Sequence, residues 1–105
     1  MKVGFVFTNY NNSHYTRQVI HSISLNDNWN ESYVVIVDNK SEIHDVELLK
    51  SIKQDYPSVE FIFNEDNSGY FKGLNIGLKY LKNKYKDLNH VVIGNNDLFF
   101  PSDFL

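Results

Sequence analysis

With 105 residues, 42% of them apolar and 22% charged, the chain has room for one core and the composition of an ordered domain rather than a disordered one. A formal charge of −3 with no basic block excludes a nucleic-acid backbone as partner, and an anionic ligand would need a cation, a helix end or a placed lysine. The lack of cysteine removes disulfides, thiolate metal sites and thiol nucleophiles.

In chain order, residues 3–8 form a continuous, largely apolar run that predicts a buried strand. The run is too short for a signal peptide and has no cleavage site, and no stretch approaches the roughly 20 apolar residues of a membrane span. The expected location is cytoplasmic, with a longer protein at most peripheral to a membrane. After the polar loop Thr8-Asn9-Tyr10-Asn11-Asn12, residues 13–25 carry Val19, Ile20 and Ile23 on one side, predicting a helix capped by Asn12 or Ser13. A second strand, residues 33–37, runs into Asp38-Asn39-Lys40-Ser41. A shorter helix over 44–53 rests on Val46, Leu48, Leu49 and Ile52, and Pro57 closes that connection.

The third strand, residues 59–63, leads into Asn64-Glu65-Asp66-Asn67-Ser68-Gly69. Residues 70–85 then have helical spacing, with Phe71, Leu74, Leu78, Leu81 and Tyr85 at steps of three and four. Gly73 and Gly77 weaken this helix intrinsically, so they predict close packing on a sheet. Lys79, Lys82, Lys84 and Lys86 near its end read as a solvated face favoured by the helix dipole. A fourth strand, residues 90–94, ends in Asn95-Asn96-Asp97.

Alternating strands and helices predict one α/β domain over residues 1–105: a Rossmann-like three-layer α/β/α fold with a mostly parallel sheet and right-handed crossovers. Strand order 3-2-1-4 would set a ligand crevice between the first and fourth strands, at the carboxyl ends where the polar loops fall. The first loop has neither the Gly-x-Gly-x-x-Gly of dinucleotide sites nor a Gly-Lys-Ser/Thr phosphate loop, which argues against both enzyme classes. Nor does Thr8-Asn9 supply the acidic pair of a signalling receiver. Tyr10 suits stacking on a flat base. Asp38 suits an imide N–H or a ribose hydroxyl, and equally suits a turn or helix cap.

These residues resemble family 2 glycosyltransferases of the GT-A fold. Thr8-Asn9-Tyr10-Asn11 is similar to the Thr-x-Tyr-Asn loop after their first strand, and Val34–Ser41 to their Val-Val-Asp-Asn-x-Ser second strand. Asn67-Ser68-Gly69 through Asn75-Ile76-Gly77 is similar to their Asn-x-Gly…Asn-x-Gly helix start, and Asn95-Asn96-Asp97 falls where they carry an Asp-x-Asp metal motif.

The resemblance implies a donor nucleoside diphosphate sugar of the UDP or dTDP type, transferred to a glycan, lipid-linked or other hydroxyl acceptor. It places Thr8, Asn9, Tyr10, Asn11, Asp38, Asn67 and Gly69 at the nucleotide and Asn96 on the sugar or ribose side, while Lys72, by its place at the helix start rather than by the resemblance, suits a phosphate and equally suits a plain surface lysine. Asp97, with Asn95 in place of the usual first aspartate, would hold Mn²⁺ or Mg²⁺. The base that deprotonates the acceptor is expected beyond Leu105, so the chain reads as the donor half of such an enzyme, cut before the acceptor half. Asp103, after Pro101, reads as a helix-start residue. The fourth strand would then have an open edge through which copies self-associate. A non-catalytic nucleotide- or carbohydrate-binding module, or a pseudo-enzyme remnant, is the alternative.

Overall fold

A computed structural model of the chain describes residues 2–67 and 69–97. Ser68 of the third motif lies outside these, as do residues 98–105 and with them the helix expected at Asp103.

The elements alternate as β1 (Val3–Asn9), α1 (Ser13–Ser24), a 3-10 turn (Trp29–Glu31), β2 (Ser32–Asp38), α2 (Ile43–Asp55), β3 (Glu60–Phe63), α3 (Tyr70–Lys84) and β4 (His90–Asn95). All pairings in the sheet are parallel, in the order β3-β2-β1-β4. This is the architecture and strand order expected from the sequence, with each strand and helix boundary within two residues of its expected position.

Side chains alternate across a strand, so each central strand feeds two cores. On one face, Phe5, Phe7, Val34 and Ile36 pack with Val19, Ile20 and Ile23 of α1 and Leu49 and Ile52 of α2. On the other, Val6, Val35 and Val37 meet Leu74 and Leu81 of α3. Burying each such aliphatic side chain contributes roughly 1.5–3 kcal/mol before chain entropy is charged against it. β1 is buried throughout, whereas β3 and β4 are half-exposed. The reason is positional: α3 lies over β1 and β2, and β3 and β4 are the edges.

α3 approaches the sheet closely because of its glycines. A Cβ on Gly77 would stand 2.5 Å from Val6 Cγ1 and 2.8 Å from Val37 Cγ2, and one on Gly73 3.0 Å from Thr8 Cγ2. Gly73, Leu74, Gly77 and Leu81 are therefore the buried stripe. Phe71, expected in that stripe, is instead 77% exposed. It stands two residues, about 200°, round the helix from Gly73 and so points away from the sheet. Lys84 also departs from a purely solvated face: it pairs with Glu60 at 2.6 Å and lies over the rings of Tyr80 and Tyr85. Among the described residues no helix is long and apolar enough to cross a membrane.

Candidate functional site

Parallel pairing brings the carboxyl ends of all four strands to one edge of the sheet. Asn9 lies opposite Asp38, Thr8 opposite Asn95, and Asp38 opposite Phe63. The four polar loops thus share one rim, and the point where strand order reverses falls between β1 and β4.

Beneath the rim is a buried polar cluster centred on Asn9, which is 1% exposed. Its Nδ2 donates to Asp38 Oδ1 and to Asp45 Oδ2, both at 2.9 Å, and its Oδ1 accepts from Thr16 Oγ1 at 2.7 Å. Asp38 accepts from Ser41 Oγ at 2.5 Å and from the Ser41 N–H at 3.1 Å, so its carboxylate closes the turn after β2. Lys40, in that turn, has the left-handed φ of 60°. Asp45, in the first turn of α2, accepts from the Ser13 N–H at 3.0 Å and so caps α1 from a neighbouring helix. Asn12 occupies the N-cap position of α1, as expected, but makes no side-chain cap bond. Burial alone would raise the Asp45 carboxyl; hydrogen bonds from Ser13, Asn9 and Ser41 outweigh it and hold the group below its ordinary range.

The predicted ligand residues divide by burial. Asp38 and Asn96 are 1% and 3% exposed, and Thr8 is also buried. Asn96 Nδ2 donates to Thr16 Oγ1 at 2.8 Å and to Asn12 Oδ1 at 2.9 Å. Tyr10, Asn11, Asn67, Gly69, Lys72, Asn95 and Asp97 are exposed on the rim. Asn11 has φ 53°; its N–H donates to Ser41 Oγ and its Oδ1 accepts from the Glu42 N–H, which locks the first loop to the second. Asn39 performs the same task for the third: its Nδ2 donates to the Gly69 carbonyl and its Oδ1 accepts from Asn64 Nδ2. Gly69, at φ 84°, takes the left-handed backbone that starts α3, and its N–H donates to Asn67 Oδ1. Sequence reasoning gave no role to Thr16, Asp45 or Asn64, and it read Asn12 only as a helix cap and Ser41 only as the end of the second-strand motif. Their one legible signal is proximity to the strand ends, and Asp45 reads as an ordinary first-turn carboxylate.

Among the described residues no three Asp, Glu or His side chains converge as a metal cage. Asp97 and Asn95 are exposed on either side of the buried Asn96, without a hydrogen-bonding side-chain partner among the described residues. One carboxylate and one amide oxygen cannot enclose a hard cation, but they fit one that keeps its waters and is held chiefly by a ligand's phosphates. A cavity of about 280 Å³, lined by Trp29, Tyr33, Glu60 and Tyr85 among others, opens at the amino ends of β2 and β3, away from the rim.

The family model of glycosyl transferase family 2 matches residues 5–105. No curated protein matches the sequence. Among solved structures, S. aureus TarS 1-349 in complex with UDP aligns over 98% of this chain and 29% of its own, with TM-score 0.78 and 22% identity. The same protein in complex with UDP-GlcNAc aligns over 92% and 27%, with TM-score 0.74 and 23% identity. Mannosyltransferase PcManGT from Pyrobaculum calidifontis, in complex with GDP-Man and Mn²⁺, aligns over 95% and 28%, with TM-score 0.75 and 19% identity. At these identities the likeness establishes the fold, and the chain spans under a third of each of these proteins.

Proposed function

The chain belongs to glycosyl transferase family 2, and from that premise we propose that it binds the nucleoside diphosphate of a UDP- or dTDP-sugar for transfer of the sugar to a glycan, lipid-linked or other hydroxyl acceptor. The observation that carries the reading is the β1–β4 pairing, which sets Thr8 beside Asn95 and so joins the Tyr10 loop to the turn bearing Asp97.

In this proposal the exposed residues touch the donor. Tyr10, half-exposed, offers a ring face to the base, and Asn11, Asn67 and Gly69 border the nucleotide. Lys72, exposed in the first turn of α3, is available to a phosphate. Asp38 and Asn9 act from below, holding the loops in shape, and Thr8 packs under the start of α3 at Gly73. Asp97 and Asn95 would hold Mn²⁺ or Mg²⁺ against the diphosphate. When bound, such an ion offsets the charge that develops on the departing diphosphate, worth several kcal/mol at the transition state. The acceptor's proton is assigned to no residue of this chain.

Calorimetric titration with UDP and dTDP, with and without Mn²⁺, tests the reading. Binding strengthened by Mn²⁺ is expected, and no binding of either nucleotide at millimolar concentration would sink the proposal. A non-catalytic binding module is the second reading, favoured by Asn95 standing where the resemblance implies a carboxylate. Nucleotide binding indifferent to the metal would favour it.

A further inference from the structure

Asn96 sits between two residues that face outward, yet is itself 3% exposed. Burying a primary amide is costly unless its hydrogen bonds are made. Here they are made, the shorter ones to α1 and its cap: Nδ2 donates to Thr16 Oγ1 and Asn12 Oδ1, Oδ1 accepts from Asn12 Nδ2 at 3.1 Å, and a longer contact of 3.4 Å runs from Nδ2 to Asn9 Oδ1. Asn12 and Asn96 thus form a reciprocal amide pair. Its orientation is fixed from outside, because Asn12 Oδ1 also accepts the Tyr10 N–H at 3.0 Å. A single oxygen is therefore shared by the backbone of Tyr10 and the side chain of Asn96.

We infer that Asn96 is a positioning residue: through Asn12 it couples the Tyr10 loop to the turn that presents Asn95 and Asp97. This deepens the donor-binding reading and rests on it. Without the Asn96 side chain, which makes both the pair and the bond to Thr16, β4 still delivers its last residue beside Thr8, but no side-chain hydrogen bond among the described residues ties the turn beyond it to α1 or its cap. Asn95 and Asp97 then lose their fixed spacing from Tyr10, and a cation held jointly by the turn and a diphosphate loses affinity. A base that needs only the first loop does not.

The test compares the wild-type chain with Asn96→Ala. Mn²⁺ affinity in the presence of UDP, read from the free-ion electron paramagnetic resonance signal, should fall about 10- to 100-fold, the usual loss when a partner supporting a metal ligand is removed. UDP affinity without metal should stay within about twofold. Unchanged Mn²⁺ affinity in folded Asn96→Ala, or an equal fall in both affinities, overturns the inference. Should Asn96→Ala not fold, Thr16→Val and Thr16→Ser decide it: the valine should weaken Mn²⁺ and the serine, which keeps the hydroxyl, should restore it. If the two behave alike, the inference fails. Amide hydrogen exchange of residues 95–97 without ligand separates this from the donor reading. Faster exchange in Asn96→Ala supports the clamp even where the wild type binds no UDP, an outcome that would refute the donor reading alone.

Discussion

At Asp45, burial and hydrogen bonding act in opposite directions on one carboxyl, and hydrogen bonding wins. A carboxyl whose folded pKa is lowered contributes stability above its unfolded value, here 3.8, and that contribution is lost as pH falls through the folded value. Asp45→Asn keeps the shape but turns an amide N–H₂ or a weaker oxygen toward Asn9 Nδ2 and the Ser13 N–H. At pH 7 it should cost about 1–3 kcal/mol in urea unfolding. The difference from wild type should shrink below about pH 4, and a gap independent of pH would show that the carboxylate charge is not the cause. None of this was legible in the sequence. The turn-forming alternative for Asp38 could be written down, but not Asp45 reaching across to Ser13, because that contact depends on how two helices meet. The inward direction of Asn96 escaped for the same reason: a three-residue polar turn does not say which member faces the core.

Elements were more legible than side chains. Continuous apolar runs marked the strands, and the 3-4 spacing marked α3, because both periodicities are written along the chain itself. The 3-10 turn at Trp29–Glu31 has no such signature; it follows the polar stretch Asn26-Asp27-Asn28 and is held by local hydrogen bonds. Phe71 shows the limit of counting apolar steps: two glycines, not the aromatic residue, decided which side of α3 meets the sheet. Gly77→Ala therefore sets two effects against each other. Alanine favours the helix by about 1 kcal/mol, whereas a methyl 2.5 Å from Val6 Cγ1 forces the helix or the strand to shift. Overpacking of this kind costs about 1–3 kcal/mol, so net destabilisation is expected in urea unfolding, and a stabilised variant would refute the close approach.

For the molecule as a whole, the place proposed for the site follows from the strand order, since a parallel sheet gathers every βα loop at one edge and a reversal of strand order opens a crevice there. The gathered loops and the α2 start carry Asp38, Glu42, Asp45, Glu65, Asp66 and Asp97 against Lys40 and Lys72. Among the described residues neither buried member of this set, Asp38 or Asp45, has an ion-pair partner; an amide bridges them instead. A neutral bridge holds the two acidic side chains together without cancelling their field, and only salt in the solvent over the exposed rim can screen it. The ledge above is thus hostile to a naked diphosphate and hospitable to one already wrapped around a divalent ion. Arrival order follows: nucleotide and cation should enter together. Raising ionic strength should strengthen the metal-free UDP complex, by screening repulsion, and leave the Mn²⁺–UDP complex nearly unmoved; metal-free binding that weakens with salt would contradict that order.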